Sequence, residues 1–257
     1  MVAILVLAHA VYSAGLYDGD FLSGWLLLGA VVFLVLLNLR KKLPVLPLGS
    51  AAAWLQFHVY AGWLAIALFV LHVGPGIPDG WLEGTLGLMF VLVAGSGVVG
   101  LAISRGFAPR LSRRGEEVIF ERIPIFIARL RKEADDLALR STRETESTTV
   151  ADFYVKRLRP FFDAPRNFTQ HLRNSNRARF AMLADIDDME RYLNPKERAY
   201  SERLRALVRK KHELDYHYAL QATLKGWLFV HIPLTYSLLI LAAVHIVLVH
   251  AFSGGPG

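Results

Sequence analysis

Five stretches of the chain carry no Asp, Glu, Lys or Arg: Met1–Tyr17, Phe21–Leu39, Leu43–Pro78, Gly84–Ser104 and Gly226–Gly257. A helix crossing the hydrocarbon of a bilayer needs about 20 predominantly apolar residues, and the last four stretches meet that length. The pattern predicts transmembrane helices over 21–40, 54–74, 84–104 and 226–252. Residues 1–17 form a marginal apolar span without the basic flank or small-residue cleavage site of a secretory signal, so this segment is expected to stay in the chain. Between the third and fourth long spans, residues 105–225 read as a helical, charged domain. Its amphipathic runs are Glu116–Leu139, Ser175–Tyr192 and Lys196–Gln221, with a break near Pro160–Pro165. Ser141–Thr149, rich in Ser, Thr, Arg and Glu, reads as a flexible linker. Asn194-Pro195 is a helix start, and the run from Lys196 is expected to continue through Lys225 into the final span. The fold class expected is an all-α membrane protein: a four-helix transmembrane bundle, an extra N-terminal span, and a helical insertion before the last span.

Composition agrees, with 54% apolar residues and a mean hydropathy of +0.36. Basic residues confirm the partition and orient it. All 29 Lys and Arg lie at Arg40–Lys42 or between Arg105 and Lys225, whereas the other connections carry only Asp18, Asp20, Asp79 and Glu83. The positive-inside rule, applied to Arg40, Lys41, Lys42, Arg105, Arg110, Arg113, Arg114 and Lys225 beside the span ends, puts 105–225 in the cytoplasm and the C-terminus outside. A multi-pass protein of a prokaryotic cytoplasmic membrane is expected. Trp25, Trp54, Trp81 and Trp227 fall near the predicted interfaces, as aromatic belts require. The net charge of +7 does not point to nucleic acid, because the basic excess borders membrane spans and is mixed with acids along 105–225. Lipid headgroups and protein partners are the expected contacts. The absence of cysteine excludes disulfides, iron–sulfur ligation and thiolate zinc sites in this chain.

Polar side chains inside a bilayer are costly and tend to be functional. Here the apolar runs hold His58 and His72 in one and His231 and His245 in another, fourteen residues apart in both cases. At 100° per residue that interval closes within about 40° of four turns, so both imidazoles leave one helix face, separated by roughly 21 Å along the axis. With both helices running from inside to outside, His58 pairs with His231 at the inner level and His72 with His245 at the outer. Each pair could supply two axial ligands to a haem iron. The stripe from His58 passes Gly62, Ala65 and Phe69; that from His231 passes Thr235, Leu238 and Ala242. Small residues there leave room for a porphyrin, although they equally permit close helix packing.

Gly95-Ser96-Gly97-Val98-Val99-Gly100 matches the letters of a dinucleotide fingerprint, but that motif needs a strand before it. Within an apolar span its expected use, with Gly97 facing a haem or a neighbouring backbone, is close approach. Arg40 is a candidate partner for the propionates of the inner haem. His250 lies about 140° around the helix from His245 and cannot share its face. His9, His212 and His217 read as surface, interface or proton-linked groups.

The arrangement of His58 and His72 on one span, a glycine-rich span, then His231 and His245 resembles the four-helix dihaem module of the membrane cytochrome b superfamily. It is similar to cytochrome b of quinol-oxidising bc-type complexes and, more loosely, to ferric-reductase-type membrane domains. The resemblance covers Phe21 to Phe252. It implies two non-covalent b haems, bis-histidine ligated, carrying electrons across the membrane between quinone and partner redox subunits such as iron–sulfur or multihaem cytochrome proteins, with no catalytic residue in the chain. Tyr60, His217, Lys225, Trp227 and Tyr236 are candidates for a quinone pocket. The long charged segment before the fourth span and the inferred orientation depart from the bc-type pattern. The alternatives are a metal or proton transporter using intramembrane histidines, disfavoured because the long spans hold no Asp, Glu or Cys, and a haem-free anchor for a complex.

Overall fold

A computed structural model of the chain describes residues 19–42, 49–76, 80–113 and 118–252. The N-terminal span predicted over 1–17, with His9, lies outside the described residues, as does the side chain of Arg40. Among the described residues the chain is helical and has no strand. The helices are α1 (Gly19–Lys42), α2 (Ala51–Val73), α3 (Trp81–Ser112), α4 (Ile123–Thr145), α5 (Thr149–Phe153), α6 (Arg159–Phe162), α7 (Phe168–Leu172), α8 (Arg177–Glu190) and α9 (Pro195–Phe252). A 3-10 turn, Phe120–Arg122, precedes α4, and a π turn, Tyr154–Leu158, joins α5 to α6. Among the described residues four helices, α1, α2, α3 and α9, are long and apolar enough to cross a membrane. The protein is an all-α membrane protein.

The chain divides into two units, one comprising 1–102 with 227–257 and the other 103–226. In the first, a small core holds Val31 of α1, Ala65 of α2, Phe90 of α3 and Leu238 of α9, flanked by Leu27, Ile66, Phe69, Met89 and Leu239. All four long helices therefore share one interior. Phe69 and Phe90 stack at 4.1 Å within it. Phe57, Val70, Phe229, Ile240 and Val247 stay more than half exposed. A surface so apolar suits lipid, which takes no hydrophobic cost from it. Asn38 of α1 donates to the Tyr236 hydroxyl of α9 at 2.9 Å, which satisfies one polar pair between two apolar helices.

The second unit has a larger, water-type core drawn from α4, α5, the π turn, α6, α8 and α9, with Val150, Phe162, Ile186 and Val208 fully buried. Its longest helix begins with a reciprocal cap. Glu197 N–H donates to Asn194 Oδ1 at 2.9 Å, and Asn194 N–H donates to Glu197 Oε2 at 2.8 Å, ahead of Pro195 in the first turn. From there α9 runs 58 residues without interruption, through Gly226 and Pro233.

The segment expected to be a flexible linker is mostly helix. α4 continues to Thr145, Ser141 is fully buried, and the turn is confined to Glu146–Thr148, with Glu146 in the left-handed region at φ 51°. Thr142 and Thr145 hydroxyls donate to the carbonyls of Ala138 and Ser141. Hydroxyl residues can satisfy the helix locally in this way, and composition alone does not reveal it.

Candidate functional site

Fourteen residues have a midpoint at seven, and the midpoints are where the structure is most informative. Ala65 stands seven residues from both His58 and His72, and Leu238 stands seven from both His231 and His245. Seven residues turn a helix by 700°, within about 20° of full circle, so each midpoint shares the face of its histidines. Ala65 and Leu238 are 2% and 4% exposed and belong to the shared four-helix core. The two histidine-bearing stripes therefore both turn inward, with one histidine of each stripe on either side of the core layer.

Register agrees at the ends. His72 lies beside Ser23 and Gly24 near the start of α1. His250, five residues beyond His245, makes ring contacts with Phe21 and Trp25 of the same region, and its Nδ1 meets the carbonyl oxygen of Ile246 at 2.8 Å. His72 and His245 thus lie toward one end of the bundle, and His58 and His231 toward the other. All four are partly buried. His250 belongs to an aromatic cluster at the helix end.

The glycine-rich stretch of α3 sits inside a helix and carries no dinucleotide fold. It forms the bed for Trp227 and His231. Trp227 donates its indole N–H to the Ser96 carbonyl at 2.8 Å and stacks on the His231 ring at 5.1 Å. A methyl group on Gly100 would overlap the indole, whereas one on Gly97 would stand 3.7 Å from His231 Cε1. The Ser96 hydroxyl lies 2.7 Å from His231 Nδ1. On α1 the Ser23 hydroxyl lies 3.2 Å from His72 Nδ1, and a methyl on Gly24 would approach His72 Cε1 to 2.9 Å. Ser23, Ser96 and Gly24 were not singled out by sequence reasoning; the signal available was a Ser-Gly dipeptide inside two apolar spans.

No protein-family model matches this chain, and no curated protein or solved structure matches it.

Two glycines make opposite predictions. Gly100→Ala should displace the Trp227 indole and destabilise the first unit by about 1–3 kcal/mol, the usual cost of overpacking, read as a lower unfolding temperature in detergent and altered tryptophan fluorescence. An unchanged melt would refute it. At Gly62 a methyl group meets no protein atom within 4 Å. Gly62→Ala should therefore not lower the melt, and the better helix propensity of alanine, worth about 0.5–1 kcal/mol, should leave the unfolding temperature equal or higher.

The quinone candidates do not share one partner. Tyr60 lines an apolar groove with Leu26, Phe33, Phe57 and Leu64; Tyr236 is engaged by Asn38, and Trp227 by Ser96. Lys225 pairs with Glu121. Of the surface, interface or proton-linked roles expected for His212 and His217, the surface one does not hold: they are 1% and 3% exposed within the second unit, with the His212 ring 4.7 Å from that of His171. Among the described residues no group of three or more His, Cys, Asp or Glu converges as a metal site.

Proposed function

We propose that this protein is a dihaem b-type membrane cytochrome that carries electrons across the membrane, with His58 and His231 ligating an inner haem and His72 and His245 an outer one. The observation that carries this reading is the inward placement of Ala65 and Leu238, the midpoints of two equal histidine intervals, in a single four-helix core. The donor set suits haem: imidazole nitrogens are its common axial ligands, and no thiolate or carboxylate competes within the spans. Gly97 beside His231 and open space at Gly62 leave room along the stripes.

Two b haems held this way would supply one-electron carriers at two depths of an otherwise insulating layer. The chain's own part is to orient them. His58 with His231, and His72 with His245, would hold the two haems, which would supply one-electron transfer and not dioxygen or substrate chemistry. The apolar outer faces of α1, α2, α3 and α9 hold the sites in lipid. Donor and acceptor are then quinone and partner redox subunits, with residues 105–225 on the cytoplasmic side as the docking domain and the C-terminus outside. The resemblance to membrane cytochromes b supports the same assignment.

A dithionite-reduced minus oxidised spectrum of the purified protein, combined with a pyridine haemochrome assay, should give two b haems per chain. One haem would mean that one histidine pair is misassigned. None, from cells with adequate haem supply, would overturn the reading and leave a histidine-based transporter or an anchor. Quinol-driven haem reduction that is unaffected by changes at Tyr60, Trp227 and Tyr236 would exclude those side chains from the quinone site.

A further inference from the structure

One histidine of each interval rests on a Ser-Gly step of a neighbouring helix, and the two seats correspond atom for atom. At Ser96-Gly97 of α3 the hydroxyl meets His231 Nδ1 at 2.7 Å and the glycine faces Cε1 of the same ring. At Ser23-Gly24 of α1 the hydroxyl meets His72 Nδ1 at 3.2 Å, and the glycine again faces Cε1. Any side chain at Gly24 would push the imidazole away, since even a methyl would stand 2.9 Å from it. The serine therefore fixes one ring nitrogen, and the glycine lets the ring lie close enough for the bond to form.

The direction of the stronger bond follows from counting protons. A serine hydroxyl has one hydrogen to donate, and Ser96 Oγ donates it to the Val93 carbonyl at 2.8 Å. Toward His231 the same oxygen can only accept. The His231 imidazole then carries its proton on Nδ1, and in the neutral ring Nε2 holds the lone pair. Trp227 braces this arrangement from both sides, bonding to the Ser96 carbonyl and stacking on the ring. A histidine that binds a metal through one nitrogen commonly donates its other N–H to an acceptor, which fixes the tautomer and strengthens the ligand.

We propose that Ser96 and Ser23 are matched positioning residues: Ser96 holds the Nδ1–H of His231, so that Nε2 is the nitrogen this ring presents to iron, and Ser23 seats the His72 ring through its Nδ1. The proposal rests on the dihaem reading, and it assigns one such serine to each haem, from α3 for the inner and α1 for the outer. Removing the acceptor makes the imidazole a poorer donor to ferric iron, so the reduced form gains ground.

The test compares Ser96→Ala, Ser96→Thr, Ser23→Ala and Ser23→Thr in the purified full-length chain by redox potentiometry and low-temperature electron paramagnetic resonance, with haem counted in every preparation. Ser96→Ala should raise the midpoint of one haem, with about a tenfold shift in its redox equilibrium, or about 59 mV for one electron, and should alter one low-spin signal. Ser23→Ala should move the other haem by less, given its longer bond. The threonine variants keep the hydroxyl and should match the parent. Loss of one haem from an alanine variant with retention in the matching threonine variant supports the same role. Alanine and threonine variants that behave alike, or two haems with unmoved potentials, would overturn it. A parent protein without haem would instead sink the dihaem reading itself.

Discussion

Replacing any one of His58, His72, His231 or His245 by alanine is expected to remove about half of the b-type haem, and the four variants should fall into two classes. His58→Ala and His231→Ala should lose one spectral component; His72→Ala and His245→Ala should lose the other. This pattern follows from position alone. The paired residues lie on different helices, α2 and α9, yet at the same side of the layer formed by Ala65 and Leu238. Were the histidines merely packing residues, each substitution would act through its own neighbours. His72 would then resemble changes at Ser23, and His231 changes at Ser96 and Trp227, with no reason for His58 to mimic His231. Difference spectra and potentiometric titration of the four variants decide the matter. A grouping by helix, with His58 resembling His72, or four variants that each keep full haem, would refute the pairing. Each substitution also removes the contacts of a partly buried imidazole from a largely apolar interior, so modest loss of thermal stability should accompany each variant without changing the two classes.

The long apolar helices were legible because membrane spans write themselves as charge-free runs, and the faces of α2 and α9 followed from arithmetic on a 3.6-residue turn. What lay beyond such reasoning depended on which neighbour each face meets. The glycines at 97 and 100 signalled close approach, but only the packed helices reveal that Gly100 admits an indole and Gly97 faces an imidazole. Ser23 and Ser96 look like ordinary small polar residues until a histidine 49 or 135 positions away arrives at their hydroxyls. Ser141–Thr149 read as a linker from its composition, whereas burial of Ser141 and hydroxyl-to-carbonyl bonds keep it helical as far as Thr145. His212 and His217 read as surface, interface or proton-linked groups from a charged stretch of sequence; in the fold both are buried, while Arg209 and Lys210 beside them stay exposed.

Lys211 is the exception among those cations, and its partner gives the second large effect. Lys211 and Asp215, one turn apart on α9, are 0% and 1% exposed. The ammonium meets both carboxylate oxygens at 2.6 Å, donates to the Ala164 carbonyl at 2.9 Å, and lies 4.5 Å from the centre of the Phe161 ring. Burial pushes the Asp215 carboxyl up to about 6 and the Lys211 ammonium down, in each case against the attraction of the other. Desolvation therefore outweighs pairing, and the ion pair is worth little compared with an apolar pair of similar size. Breaking it is another matter: without Asp215 the ammonium would stay buried with no carboxylate beside it, and without Lys211 the carboxyl would keep only the backbone N–H and the charge of Arg166. Lys211→Ala and Asp215→Ala should each cost about 3–5 kcal/mol, seen as a fall in the urea midpoint of the second unit within the full-length protein. The double variant Lys211→Met with Asp215→Leu should recover most of that loss, since it removes both charges and retains volume. Single variants within about 1 kcal/mol of the parent, or a double variant as unstable as the sum of the two, would show that the pair is not the buried, mutually dependent contact described here. Haem content should follow neither change if the two units fold on separate cores, and that independence is measurable in the same samples.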